Sequence, residues 1–85
     1  MKIVDKRIEM IAHHEPDGKT MPVRFRITLD DEPQTFNVKV KSFDITKVDG
    51  EKTILYRCDL QNNDQTLPCE ILFYINKTLW KLHRL

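Results

Sequence analysis

The fold of this chain is decided by the stretch from Ile54 to Ile75, which reads ILYRCDLQNNDQTLPCEILFYI. Apolar and polar side chains alternate on both sides of a polar centre, Asn62-Asn63-Asp64. A period of two indicates a half-buried β-strand, and Asn and Asp tolerate the backbone angles of a tight turn. The stretch therefore predicts two antiparallel strands joined by a turn between Asn63 and Asp64.

The register of this hairpin follows from the side chains that face the core, because directly opposed residues share a face of the sheet. A turn centred between Asn63 and Asp64 gives an apolar pair at every inward position. These pairs are Leu60 with Leu67, Cys58 with Cys69, Tyr56 with Ile71, and Ile54 with Phe73. We expect this hairpin to form the middle of the sheet.

The same alternation extends outward in both directions. Turn residues separate the strands at Pro16-Asp17-Gly18, Glu32-Pro33, Asp49-Gly50 and Asn76-Lys77. Centring on three of these turns predicts the pairs Ala12–Val23, Met10–Phe25 and Ile8–Ile27, then Leu29–Phe36, Ile27–Val38 and Phe25–Val40, then Phe73–Trp80 and Ile71–Leu82. For residues 7–14 a strand is favoured over a helix, because a Pro-Asp-Gly turn follows and Ile8 and Ile11 are β-branched.

One break in parity interrupts the pattern. Val38 and Val40 are even-numbered, whereas Phe43 and Ile45 are odd-numbered, and all four are expected to reach the core. A bulge near Lys41-Ser42 would absorb the extra residue. The competing interpretation is a short helical turn over residues 42–48, capped by Ser42.

These elements predict an all-β fold in a single domain, residues 1–85. Five or six antiparallel strands would form a meander that curls into a small barrel or half-barrel, of the size of SH3-like or OB-like barrels. That comparison concerns size and strand number, and it implies no function.

The composition narrows the classes of protein. The 14 Lys and Arg residues nearly balance the 13 Asp and Glu residues, giving a net charge of +1. This balance argues against a strongly basic nucleic-acid binder and against a disordered polyelectrolyte. No apolar run is long enough to cross a membrane as a helix, and two cysteines are too few for a secreted disulfide framework. We therefore expect a cytoplasmic protein.

Catalytic and metal-binding constellations are not predicted. Cys58 and Cys69 lack two further ligands on their face, and His13 and His14 point to opposite faces of a strand. His83 is expected to lie opposite Glu70 as an exposed ion pair. No phosphate-binding or nucleophile motif occurs. The sequence predicts no cofactor, no metal and no enzymatic activity.

A basic row on the outer face gives one functional hypothesis. The predicted register places Arg24, Lys41 and Arg57 abreast, where like charges oppose one another. Such a row could bind an anionic partner such as a nucleic acid. An ordinary solvated face is the favoured interpretation, because lone surface charges contribute little either way. The inward assignment of Tyr56, Phe25, Phe36 and Phe73 further weakens the nucleic-acid hypothesis.

An apolar group on the outer face gives the leading hypothesis. Leu55, Leu72, Tyr74 and Leu79 are expected to point outward together on the last three strands. An exposed apolar patch indicates an interface. The chain is therefore predicted to be a non-catalytic module that binds a protein partner, or a second copy of itself, through this face. The alternatives for the patch are cover by Ile3 and Val4, or an open sandwich.

Overall fold

A computed structural model describes residues 1–85 and shows one antiparallel sheet of seven strands. A short 3₁₀ turn, Ile75–Lys77, precedes the last strand. The strands are β1 (Ile3–Arg7), β2 (Glu9–His14), β3 (Thr20–Leu29), β4 (Glu32–Val48), β5 (Glu51–Asn62), β6 (Gln65–Tyr74) and β7 (Leu79–Arg84). The all-β prediction is confirmed, and so is the strand assignment for residues 7–14 except at Ile8, which lies between β1 and β2.

The sheet has the order β1-β7-β6-β5-β4-β3-β2, so its two edge strands are consecutive in the chain. Only Ile8 separates them, and its backbone N–H donates to the carbonyl of Trp80 at 3.1 Å. The edges therefore meet at Ile8, and the sheet is curled. It is not closed into a barrel and has seven strands, so the prediction of a barrel or half-barrel of five or six strands is met only in part.

The central hairpin has the predicted register. All four predicted pairs, from Leu60–Leu67 to Ile54–Phe73, lie directly opposite each other in β5 and β6. The predicted pairs of β6 with β7, Phe73–Trp80 and Ile71–Leu82, are confirmed as well. The inward side chains of these strands join those of β3 and β4 in one core: Phe25, Ile27, Phe36, Tyr56, Cys58, Leu60, Cys69, Ile71, Phe73, Trp80 and Leu82.

The predicted register of β3 with β4 is wrong by four residues. Phe25 lies opposite Phe36 instead of Val40, because the turn falls at Asp30-Asp31 and not at Glu32-Pro33. Both Asp residues have positive φ, 50° and 63°, as a two-residue hairpin turn requires. A shift of four residues keeps the same faces inward, so alternation alone could not distinguish the two registers.

Two bulges set the shape of the sheet. The pairing of β4 with β5 shifts between Val40 and Ser42, so the predicted bulge is confirmed and the alternative helical turn over residues 42–48 is wrong. A second shift, between Ile11 and Ala12, places Ala12 opposite Pro22 and not Val23 as predicted. Val23 is the extra residue and is 45% exposed, whereas Pro22 turns inward and is buried.

A third irregularity changes the surroundings of His83. The pairing shifts between Glu70 and Ile71, so Glu70 lies opposite Arg84 instead of His83. Glu70 forms an ion pair with Arg84 at 3.4 Å, and His83 Nδ1 lies 2.6 Å from a carboxylate oxygen of Asp5. The predicted pair of His83 with Glu70 is therefore wrong.

Candidate protein-interaction site

Strand β4 is longer than its neighbour β3, and the excess length defines the site. The pairing of β3 with β4 ends at Arg24–Asn37, whereas β4 continues to Val48. From Val38 onward β4 pairs only with β5 on its other side. Strand β4 therefore has a free edge over its second half, and every residue from Lys41 to Lys47 is exposed.

An apolar cleft opens on the inner face of the sheet beside this overhang. Its volume is about 280 Å³. The turn between β2 and β3 forms one wall, and apolar side chains of β4, β5 and β6 form the floor. The lining residues are Asp17, Gly18, Lys19, Thr20, Met21, Phe43, Ile45, Ile54, Tyr56, Phe73 and Ile75.

Tyr56 holds the wall of the cleft over its floor. Its hydroxyl donates to the backbone carbonyl of Thr20, which joins the start of β3 to the middle of β5 across the inner face. The Tyr56 ring also lies between Phe43 and Trp80, with centroid separations of 6.0 and 5.8 Å. Burial, and to a smaller extent the charge of Cys58, raises the pKa of Tyr56 to about 12. The phenol therefore keeps its proton, and can donate, at neutral pH.

Two apolar side chains of β4 remain largely in contact with water. Phe43 is 42% exposed and Ile45 is 63% exposed, although both point to the inner face beside Tyr56 and Ile54. The prediction that they reach the core is therefore correct in direction and wrong in burial. β3 does not extend far enough to cover them. Such side chains at the rim of an apolar cleft suit the binding of another apolar surface.

The predicted apolar group on the outer face is brought together but is mostly covered. Leu55 lies opposite Leu72, and Tyr74 lies opposite Leu79. Leu72 and Tyr74 are only 4% and 7% exposed, and the other two are half-buried. The Lys81 ammonium lies 5.5 Å from the centre of the Tyr74 ring. The chain's own side chains therefore leave little apolar surface open on this face.

The predicted basic row is dispersed by the register of β3 and β4. Arg24 lies opposite Asn37, about 13 Å along β4 from Lys41 at 3.3 Å per residue. The Arg24 Nε donates to the Asn37 side-chain oxygen at 3.0 Å. Lys41 pairs with Asp59 at 3.3 Å, and Arg57 pairs with Asp44 at 2.7 Å. Each of the three bases thus has a polar partner within the chain, and Arg24 stands apart from the other two.

A second depression, of about 470 Å³, lies over β2 and β3. Its apolar lining includes Ile11, which is 61% exposed. Arg26 and Glu9 lie at the same depression and form an ion pair at 2.7 Å. The cleft at β4 is the more apolar of the two, since seven of its eleven lining residues are hydrophobic against three of seven here.

The residues considered for metal binding do not assemble into a site. Cys58 and Cys69 are opposed, buried and free. A hydrogen bond that the Cys69 thiol donates to Cys58, together with burial, raises the pKa of Cys69 far above its usual range. His14 Nδ1 lies 3.0 Å from the Thr20 hydroxyl. No group of three or more His, Cys, Asp or Glu side chains is placed to hold a metal ion. No helix is long and apolar enough to cross a membrane.

No protein-family model, curated protein or solved structure matches this chain. One signal for the cleft was present in the sequence. The turns at Asp30-Asp31 and Asp49-Gly50 leave 17 residues for β4, whereas β3 has 10, so β4 must extend past its neighbour.

Proposed function

We propose that this chain is a non-catalytic module that binds a protein partner through the cleft at β4. The observation that carries the proposal is the exposure of Phe43 and Ile45 at the rim of an apolar cleft. Removing exposed apolar side chains from water stabilises a complex by roughly 25 cal/mol per Å² of apolar area buried. The partner would insert apolar side chains between the β2–β3 turn and the floor of the cleft.

The chemistry of the cleft supports binding more than catalysis. Its ionisable residues are Tyr56, whose phenol is committed to the Thr20 carbonyl, and Asp17 and Lys19, which lie 3.8 Å apart in the turn. The Thr20 hydroxyl of this lining has a base beside it, His14 Nδ1 at 3.0 Å, but no third side chain hydrogen-bonds to that histidine to orient it, as covalent catalysis usually requires. We place the module in the cytoplasm, where the thiols of Cys58 and Cys69 would stay reduced.

A random peptide library displayed on phage tests the proposal. We expect the wild-type protein to enrich peptides with two or more large apolar side chains, and these peptides to bind it when measured by fluorescence polarisation. Phe43→Lys should weaken their binding by at least about fivefold, because a buried aromatic contact is typically worth more than about 1 kcal/mol. The fold should persist, since Phe43 is 42% exposed.

Ile11→Lys is the matched control. Ile11 is an exposed apolar residue of β2 that does not line the cleft, so its substitution should leave peptide affinity unchanged. Failure to enrich any peptide, or equal binding to the wild-type and Phe43→Lys proteins, would overturn the proposal.

A further inference from the structure

The free edge of β4 presents unpaired backbone groups as well as apolar side chains. In an antiparallel sheet, the N–H and C=O of successive residues point alternately to the two neighbouring strands. Beyond Asn37 no strand lies on the β3 side of β4, and no turn or loop hydrogen bond reaches this segment. Every second residue of the overhang therefore points its N–H and C=O away from the sheet.

The turn between β4 and β5 identifies these residues. Asp49-Gly50 is a two-residue turn with φ of 51° and 79°, so Val48 and Glu51 exchange backbone hydrogen bonds. By alternation, Thr46 and Asp44 also bond to β5. Phe43, Ile45 and Lys47 consequently face the free edge with their backbone groups.

The regular part of this edge has a defined length and centre. The bulge interrupts β4 between Val40 and Ser42, and the strand ends at Val48. The uninterrupted segment is therefore Ser42–Val48, and its middle residue is Ile45. A two-fold symmetric antiparallel pair of such segments is longest when the axis passes through Ile45.

The charged side chains of β4 also favour a two-fold axis through Ile45. Around Ile45, Phe43 lies opposite Lys47, Asp44 opposite Thr46, and Lys41 opposite Asp49 of the second copy. No like charges are opposed. Centring on Asp44 would instead place Asp44 opposite itself and Lys41 opposite Lys47, which destabilises a pair. Centring on Phe43 would carry the pairing into the bulge, and centring on Thr46 would shorten it to Asp44–Val48.

The rest of the molecule leaves the edge open. The hydrogen bond from Tyr56 to Thr20 ties the start of β3 to β5, and no residue of β3 before Arg24 pairs with β4. Directly opposed residues share a face, so Ile45 of each copy would contact its equivalent beside both clefts. The exposed Ile45 side chains would then be covered by each other.

We propose that a second copy of this chain pairs with the first along β4, antiparallel and symmetric about Ile45. Three opposed pairs, Ile45 with itself and Phe43 with Lys47 twice, exchange two backbone hydrogen bonds each. The inference rests on the proposed function, because it names one protein partner for this end of the sheet. Pairing two seven-residue strands buries less surface than the roughly 1,600 Å² of a usual stable interface. We therefore expect a weak dimer in equilibrium with the monomer.

Sedimentation equilibrium from about 10 µM to about 1 mM covers the range of such a weak dimer. We expect the mean mass of the wild-type protein to rise from 10.1 kDa towards twice that value. Ile45→Lys should remain at the monomer mass throughout, because it opposes two cations at the axis. Ile11→Lys should associate like the wild type, because Ile11 lies on β2 and not on the edge of β4. It is a matched control, since Ile11 and Ile45 are exposed to a similar degree, 61% and 63%.

Amide hydrogen exchange gives a second readout that does not depend on a variant. On dimerisation, exchange should slow at Phe43, Ile45 and Lys47, while Asp44 and Thr46 are protected at every concentration. The inference would be overturned by a monomer mass at about 1 mM or by association that Ile45→Lys leaves unchanged. It would also be overturned if amide exchange slowed on dimerisation without this alternation.

Different results would contradict the dimer and the proposed function. A wild-type monomer that still binds selected peptides in its cleft would remove the dimer and leave the proposed function standing. A dimer with the alternating exchange pattern but no peptide binding would retain the interface on β4 and remove the role of the cleft.

Discussion

Tyr56 shows how one residue can join the core of this protein to its candidate site. Its ring is 1% exposed and packs against Trp80, while its hydroxyl reaches the backbone of Thr20. The hydroxyl is the polar group that holds the β2–β3 turn above the cleft floor. A buried hydroxyl needs such a partner, because an unsatisfied buried polar group costs about 1–3 kcal/mol.

Tyr56→Phe tests this role through stability and its dependence on pH. At pH 7 we expect a loss of about 1 kcal/mol in the free energy of unfolding, because the Thr20 carbonyl loses its donor. The unfolded chain ionises this phenol near pH 10, and the folded chain ionises it near pH 12. The stability that Tyr56 contributes is therefore complete below pH 10 and is lost as the pH rises towards 12.

Urea unfolding of the wild-type and Tyr56→Phe proteins at pH 7 and pH 11 measures this difference. Every other titratable side chain is present in both proteins, so the difference between them isolates the contribution of the Tyr56 hydroxyl. The stability gap should shrink at pH 11. A gap of the same size at both pH values would show that the phenol proton does not contribute to folding.

At the scale of elements, turns and bulges decide how far each strand extends. The Asp30-Asp31 turn ends β3, and the bulge at Lys41 bends β4 just after β3 has stopped pairing with it. Pro33 fits within β4 because it lies before the pairing with β5 begins at Asn37, so its missing N–H costs no hydrogen bond on that side. These features together produce the free edge.

Asp31→Gly tests the turn. Asp31 has φ of 63°, a conformation that glycine adopts without the clash of a Cβ atom. We expect the substitution to raise the free energy of unfolding by about 0.5–1 kcal/mol in thermal or urea denaturation, because it relieves left-handed strain. Loss of stability would argue against the Asp30-Asp31 turn and the register it sets.

Gly50→Ala is the converse control. Gly50 has φ of 79°, and an added Cβ would meet no atom within 4 Å, so only backbone strain would act. A loss of about 1 kcal/mol is expected.

At the scale of the whole molecule, the N-terminal segment links the two edges of the sheet. β1 pairs with β7, and β2 pairs with β3, with Ile8 between them. Lys2 and Leu85 exchange backbone hydrogen bonds of 2.8 and 2.9 Å, which extends the β1–β7 pairing to the last residue. Val4 packs against the core from this strand, whereas its neighbour Ile3 is 66% exposed.

Alanine substitution of these two neighbours tests the position of β1. Val4→Ala should lower the free energy of unfolding by about 1 kcal/mol, because it removes two methyl groups from a partly buried contact. Ile3→Ala should change it by less than about 0.5 kcal/mol, as expected for an exposed site. Urea unfolding followed by the fluorescence of Trp80 measures both. Equal effects would contradict the packing of Val4 against the core.

The predictability of the fold differed between hairpins for a physical reason. In β5 and β6 the turn residues and the apolar pairs pointed to the same centre, so the register from Leu60–Leu67 to Ile54–Phe73 was predicted correctly. In β3 and β4, two alternative turns were both compatible with the apolar pattern, and the registers they give differ by four residues. The left-handed backbone of Asp30 and Asp31 decided between them.

The candidate site was less predictable than the fold. Alternation assigned Phe43 and Ile45 to the inner face, which is their observed direction, but it could not tell that β3 would stop short of them. It also placed Leu72 and Tyr74 on the outer face, where neighbouring side chains cover them. Periodicity reports which face a side chain takes; exposure depends on what lies next to that face.

The amino-acid sequence by itself determined the all-β class, the central hairpin and the break in parity within β4, because turn chemistry and a period of two are local properties. Only the tertiary structure decided that β1 would pair with β7 while β2 pairs with β3 in a sheet that is not closed into a barrel, and that Arg24 would stand apart from Lys41. It also decided that the open apolar surface would lie at Phe43 and Ile45. These outcomes depend on the relative lengths and registers of strands distant in sequence, which no local pattern specifies.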